Sequence, residues 1–365
     1  MKKVKTNFTP KLLVSAISVI IAGTSGYANA LDAKISGQLN KAVMTMDDGD
    51  KTTAAIVDVV NSSTRFRFTG SQEIDPGLTA GIIWETEYRD TPSSQVGVSD
   101  RNHGDSPTMH ERHANIFLKG DWGKFSIGQG NGAANGASEV DLSGTTVASY
   151  AEQEDVGGAI KFVDKTTRMP TVSIDKTKSS FDFESRHNRA RYDSPKLGPV
   201  TLAVSAGTKS NNDVFSASAS ASQKIEGMKV AGTLGYSALA QGGATGTRVR
   251  TGGSFSVLSD EGYNFTLSYV KQTDGAVNGN DPSNYYTKVG YITGKHAISA
   301  TYSDTSDLLN KGDSSTAYGA QYVYKPVGWA ELYAAVKVHS LDSKAVGLTN
   351  VNDVIVGLFG SRIKF

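Results

Sequence analysis

The chain has 365 residues and no cysteine, which excludes a disulfide framework and a thiolate metal site. Its mean hydropathy of −0.30 is that of many water-soluble proteins, yet a membrane β-barrel has similar values because only alternate residues face lipid. The net charge of +1 excludes the strongly basic balance that is typical of nucleic-acid-binding proteins.

The first thirty residues have the features of a secretory signal peptide. Four lysines, the last of them Lys11, precede or open an apolar run from Leu12 to Ala22 that is too short to cross a bilayer as a helix. Ala28-Asn29-Ala30 is a small-x-small site, so we predict cleavage after Ala30; a short N-terminal anchor helix is the alternative. Cleavage removes four lysines and no acids, so the net charge falls from +1 to −3, and no nucleic acid is expected as a partner.

The rest of the chain alternates between apolar and polar residues in runs of about ten. In one run, Tyr263, Phe265, Leu267 and Tyr269 share a face opposite mainly polar residues. Soluble sandwiches also alternate, but aromatic rings near the ends of strands are typical of membrane-interface girdles. The pattern predicts sixteen strands, near residues 33–46, 63–74, 78–89, 111–120, 124–131, 186–194, 199–208, 213–224, 228–239, 247–258, 262–272, 284–292, 296–304, 315–324, 329–340 and 353–365.

Short turns alternate with longer polar loops between these strands. Turns such as Asp75-Pro76-Gly77 use the residues that tight turns require, whereas loops are predicted at 47–62, 90–110, 131–185, 240–246, 273–283, 305–314 and 341–352. This pattern predicts an all-β fold, a closed 16-stranded antiparallel transmembrane β-barrel formed by residues 31–365. Loop 131–185 is longer than compact folds leave without a functional role. Its segment 158–163 has the pattern of a short strand.

Several segments resemble the trimeric general diffusion porins of Gram-negative outer membranes. Arg112–Gly128 is similar to a hairpin of that family, Asn188–Pro195 to the strand after its third loop, and the terminal Phe365 to the membrane-assembly signal of outer-membrane barrels. The resemblance implies an outer-membrane homotrimer in contact with membrane lipids and the barrel-assembly machinery. It also implies that loop 131–185 folds into the lumen as a constriction, and that solutes diffuse passively without a cofactor.

The distribution of charge fits such a constriction. Residues 131–160 contain five acids and no lysine or arginine, whereas the predicted wall strands carry arginines. The resemblance assigns Glu139 and Asp141 to the loop side of the pore, although loop acids are usually solvated surface. The wall residues predicted to face the lumen are Arg65, Arg67, Arg112, Arg189, Arg191 and Glu85. Arg112 is ambiguous, because strict alternation would turn either Arg112 or the pair Asn115 and Lys119 toward lipid.

The predicted function is therefore a water-filled pore for ions and small hydrophilic solutes. The lumen arginines leave a substrate- or anion-selective channel as the first alternative, and a barrel that serves as an adhesin or structural anchor as the second. An enzyme is the weakest alternative, because no Walker loop, dinucleotide fingerprint or G-x-S-x-G motif is present. The scattered histidines predict no metal site.

Overall fold

A computed structural model describes residues 31–102, 107–241, 246–274 and 280–365; the predicted signal peptide lies outside these ranges. None of the helical segments in the described part of the chain has the length and hydropathy needed to cross a membrane. The strands are β1 Asp32–Asp47, β2 Thr52–Asp58, β3 Arg65–Asp75, β4 Leu78–Arg89, β5 Thr108–Gly120, β6 Gly123–Asn131, β7 Lys161–Val163, β8 Pro170–Ser173, β9 Arg186–Asp193, β10 Val200–Lys209, β11 Asn212–Ile225, β12 Met228–Ala240, β13 Thr247–Ser259, β14 Tyr263–Asp274, β15 Ser283–Thr293, β16 His296–Ser306, β17 Ser314–Val327, β18 Ala330–Asp342 and β19 Val354–Lys364.

Seventeen of these nineteen strands form a closed 16-stranded barrel. β2 and β3 are two parts of one barrel strand, since both pair with β1 and only segment 59–64 separates them. β7 and β8 pair with each other inside the long loop. Each remaining strand pairs antiparallel with its neighbours, and β1 pairs with β19 to close the ring. The predicted fold class is confirmed, but the predicted loop at 47–62 is wrong in part, because β2 continues the barrel through Thr52–Asp58.

The two faces of the barrel differ as the alternation predicts. In β14, Phe265 and Tyr269 are 42% and 49% exposed, while Thr266 and Ser268 between them are buried. Exposed aromatic residues lie near both ends of the strands, at Tyr88, Tyr236, Tyr269, Tyr285, Tyr302 and Tyr318 toward one end, and at Trp122, Tyr192, Tyr263, Tyr291, Tyr322 and Trp329 toward the other. An apolar outer surface with an aromatic girdle at each rim is the surface that a bilayer requires.

The last residue of the chain closes the barrel on Gly37. The backbone N–H of each residue donates to the carbonyl oxygen of the other, and both distances are 3.0 Å. The Phe365 ring lies over Gly37, where an added Cβ would be 2.5 Å from the ring and 2.6 Å from the Arg65 carbonyl oxygen. Glycine is therefore required at position 37 for the ring to pack in this way.

Gly37→Val is expected to impair closure, because overpacking of this kind costs about 1–3 kcal/mol. The measurement is the fraction of refolded protein that migrates as a compact barrel on an SDS gel without heating. Gly328→Val is the matched control, since an added Cβ there meets nothing within 4 Å. Equal folding of the two variants would show that the ring contact is dispensable.

Candidate functional site: the loop inside the barrel

Residues 132–185, here called the inner loop, run along the inner wall of the barrel. Backbone N–H groups of this loop donate to inward-facing serines, from Ala133 to Ser205 and Ser216 and from Val140 to Ser254, each at 2.9 Å. These serines are buried on the face opposite the lipid-exposed side chains, so the loop lies in the lumen. Small hydroxyl side chains let the loop backbone approach the wall closely while its polar groups stay paired.

The middle of the inner loop fills the part of the lumen next to β1, β2, β18 and β19. It contributes Val147, Val156, Ile160, Phe162 and Ile174 to a buried apolar cluster with Met44, Met46, Val57, Val354 and Val356 of the wall. The hairpin of β7 and β8 lies in this region, as the strand-like reading of 158–163 predicts, and the Asn352 N–H donates to the Val163 carbonyl oxygen at 2.8 Å. The loop is therefore packed against this wall by hydrophobic contact.

A buried ion pair tethers the inner loop to β15. Lys288 Nζ lies 2.6 Å from Asp141 Oδ2 and also donates to the Ser149 carbonyl oxygen at 2.8 Å. Both charged side chains are almost fully buried, with exposed fractions of 0% and 3%. Asp141 thus differs from its predicted role: its charge is compensated at the wall, and it does not face the predicted arginines.

The predicted arginines of β3 and β5 surround two buried carboxylates of β4. Glu85 and Glu87 are 0% and 3% exposed. Arg112 contacts both of them at 2.6 Å, Arg67 pairs closely with Glu85, and Arg65 lies 3.7 Å from Glu85. The Arg67 side chain points inward, and 43% of its surface is nevertheless exposed. Part of this arginine cluster therefore faces open space within the barrel.

A β-bulge explains the ambiguity at Arg112. Glu85 pairs with His113 and Thr86 with Glu111, so Arg112 is an extra residue in β5 without a partner in β4. A bulge redirects a side chain, which allows Arg112 to reach Glu85 while the buried Asn115 also faces inward. Strict alternation therefore could not place this residue.

Arg189 and Arg191 also point inward, but they hold the start of the inner loop. Arg189 Nε donates to the Asn131 carbonyl oxygen at 3.0 Å, and Arg191 Nη1 donates to the Gly132 carbonyl oxygen at 2.8 Å. Arg191 also pairs with Asp193 at 2.7 Å. The structure therefore separates these two residues from the Glu85 cluster.

The acids of the inner loop are grouped around Glu139. Ligand oxygens of Glu139, Glu152 and Asp182 lie within 4.8 Å of one another, an oxygen set that suits a hard cation. Burial, with the Asp182 carboxylate nearby, raises the pKa of Glu139 well above its usual range. Burial likewise raises the pKa of Glu154, which lies near Asp155, to about 7. Arg186, which the sequence analysis did not select, interacts electrostatically with Glu139.

The raised pKa of Glu154 predicts a pH-dependent pore charge. Glu154 is neutral at pH 6 and ionised at pH 8, because its pKa is about 7; the added negative charge should increase the preference for cations over that range. The pKa of Glu154 is raised in the folded state, so the protonated carboxyl is compatible with the fold and its ionisation is unfavourable. The contribution of protonated Glu154 to the free energy of unfolding is therefore present at low pH and is lost as the pH rises through 7. Reversal potentials from pH 5 to 9 measure the step, and Glu154→Gln should reduce it to the part contributed by Lys178, whose pKa burial lowers to about 7. A wild-type preference that is flat between pH 6 and 8 would contradict the assignment.

Comparison with known proteins identifies the family. A family model described as Gram-negative porin matches residues 16–343, most of the chain. The chain belongs to the Gram-negative porin family. The porin resemblance in the sequence is therefore confirmed, and so are the outer-membrane location and the porin function that it implies.

Relatives of this porin are distant in sequence but extend over most of its length. Outer membrane protein U of Vibrio parahaemolyticus serotype O3:K6 is 24% identical over 286 residues, which cover 78% of this chain and 75% of that protein. The anion-selective porin from Comamonas acidovorans has a TM-score of 0.62 at 13% identity and covers 91% and 99% of the two chains. OmpT of Vibrio cholerae, in a trimer form, has a TM-score of 0.58 at 14% identity and covers 92% and 100%. These structures share the fold.

Proposed function

We propose that this porin is a general diffusion pore, in which the inner loop narrows the lumen against the arginine cluster of β3, β4 and β5. Ions and small hydrophilic solutes pass through it without catalysis and without a cofactor. The observation that carries the proposal is the contrast between the two inner walls. The loop packs on β1–β2 and on strands from β10 to β19, whereas inward-facing Arg67 of β3 keeps 43% exposure.

The proposed molecule is an exported homotrimer. Residues 1–30 would act as a signal peptide removed after Ala30, and Phe365 would serve as the signal for the barrel-assembly machinery. One solved structure with the same fold is a trimer form of OmpT, which supports the assembly. Chemical cross-linking of the purified protein should give a band at three times the mass of the monomer, and a monomer alone would reject the trimer.

An anion-selective channel is the second candidate. The inward arginines favour it, and one structure with the same fold is an anion-selective porin. The ion pairs weaken this reading, because Glu85 and Glu87 compensate two of the positive charges contributed by Arg65, Arg67, Arg89 and Arg112. The remaining excess of positive charge in this cluster is modest.

Planar bilayer recordings test these alternatives. A general diffusion pore should give conductance proportional to salt concentration and a weak preference between small ions. A strong anion preference with saturable block by one solute would favour the selective channel. A folded barrel without ion conductance would favour an adhesin or a structural anchor.

A further inference from the structure

Residues 91–96, here called the spacer segment, lie inside the barrel although they begin the loop that follows β4. Ser93 and Val96 are fully buried. Val96 belongs to the apolar cluster that the inner loop forms with the wall. The spacer segment therefore packs with the inner loop, from which it is separate in the chain.

One edge of the spacer segment is hydrogen-bonded to the end of β2. The Asp58 N–H donates to the Thr91 carbonyl oxygen at 2.8 Å, and the Ser93 N–H donates to the Asp58 carbonyl oxygen at 2.9 Å, in the pattern of two parallel strands. The Asp58 carboxylate also accepts the N–H groups of Asp90 and Thr91, at 2.8 and 3.1 Å. These four hydrogen bonds fix the spacer segment to the barrel wall.

The opposite edge of the spacer segment is hydrogen-bonded to the inner loop. The Gly157 N–H donates to the Ser93 carbonyl oxygen and the Ala159 N–H donates to the Ser94 carbonyl oxygen, both at 2.9 Å. A further chain thus separates the inner loop from β2 here, whereas the loop backbone at Ala133 bonds directly to serines of the wall. Because hydrogen-bonded chains lie about 4.8 Å apart, the intervening chain moves the inner loop into the lumen by roughly that distance.

The Ser93 hydroxyl joins the two edges. It accepts the Val60 N–H of wall segment 59–64 at 3.0 Å and donates to the Asp155 carbonyl oxygen of the inner loop at 2.6 Å. The backbone N–H and carbonyl oxygen of Ser93 are bonded to the same two partners, the wall and the inner loop. Every hydrogen-bonding group of this residue therefore holds the inner loop at a fixed distance from the wall.

We propose that the spacer segment sets the width of the pore and that Ser93 is its positioning residue. The inference rests on the proposed diffusion function and deepens it, because it assigns the size limit for solutes to a second loop of the barrel. If the spacer segment loosens, the inner loop near Gly157 gains room to move toward β2, and the lumen widens.

The experiment measures the width of the pore when the bridging hydroxyl is removed. Ser93→Ala leaves a buried backbone N–H and a buried carbonyl oxygen without that partner, so the channel should visit a conductance level above the wild-type level. The fraction of time spent at that level should rise about tenfold, in line with the cost of an unpaired buried group. Polyethylene glycols of increasing mass, which lower the conductance only when they enter the pore, should show a larger size limit. A mere loss of stability would lower the folded fraction on unheated SDS gels without producing a higher level.

Ser237→Ala is the matched control, because Ser237 is an equally buried inward serine whose hydroxyl has no hydrogen-bond partner among the described residues. This variant should keep the wild-type conductance and size limit. Asp58→Ala weakens the wall edge of the spacer segment from another residue and should produce the same higher level, which decides the question if Ser93→Ala yields too little folded barrel.

Two results would overturn the inference and leave the diffusion function in place. One is a folded Ser93→Ala channel, or in its absence a folded Asp58→Ala channel, with the wild-type conductance and size limit. The other is an equal change in Ser237→Ala. A folded wild-type barrel that carries no current would instead overturn the proposed function, and the inference with it.

Discussion

Lys288→Met is expected to release the middle of the inner loop from the wall of β15. The substitution removes one partner of a buried ion pair and leaves the Asp141 carboxylate, 3% exposed, without its cation. Breaking a buried pair in this way costs about 3–5 kcal/mol. The loop should then leave the wall part of the time, because the uncompensated carboxylate is more stable in water. Single-channel recordings should show large conductance fluctuations, and a protease added to the folded protein should cut within 132–185 faster than in wild type.

Two controls separate loop release from a general loss of stability. Lys288→Met combined with Asp141→Asn removes both charges and should restore quiet channels in large part, since an uncharged pair leaves no buried ion. Lys224→Met breaks the exposed pair of Lys224 and Asp260, whose side chains are 67% and 56% exposed, and should change stability by at most about 1 kcal/mol. Quiet channels and wild-type cleavage in Lys288→Met would show that the apolar cluster alone holds the loop.

Most of the barrel could be predicted from the sequence because its physical cause is local. Apolar and polar side chains must alternate along a strand between lipid and water, and each turn residue acts on its own backbone. The run Tyr263–Tyr269 can therefore be recognised as a strand without knowledge of the strand that pairs with it. The interruption between β2 and β3 could not be predicted in the same way. Segment 59–64 is held by long-range contacts, such as the Gln38 side chain donating to the Ser62 and Ser63 carbonyl oxygens.

The loop contacts depend on pairs that are far apart in the chain. Asp141 and Lys288 are separated by 147 positions, and nothing in either neighbourhood indicates the other. The barrel wall against which the loop packs has a recognisable sequence pattern in the run Phe215–Ser222. In this run serine occupies every inward position, and alanine occupies the outward positions between the serines. A strand with only small hydroxyls on its inner face has room for another backbone to lie against it.

Arg65→Ala combined with Arg67→Ala is expected to shift the pore toward cations and to raise its conductance. Both side chains lie at the wall beside Glu85, which is fully buried and would keep Arg112 as its close cation among the described residues. Each removed charge changes the energy of a monovalent ion ~4 Å away by about 1 kcal/mol in water, a factor of about five in local concentration. The loss of two long side chains also widens the path. Reversal potentials in a potassium chloride gradient and single-channel conductance measure the two effects.

Adding Glu85→Gln to this double variant separates charge from width. If uncompensated Glu85 causes the shift, the triple variant should return toward the wild-type ion preference while keeping the higher conductance, because the path stays wide. If the double variant keeps the wild-type preference, Arg65 and Arg67 lie outside the path of the ions. The exposed Arg67 side chain would then face a vestibule, and the narrow part of the pore would lie where Arg186 meets the acids of the inner loop.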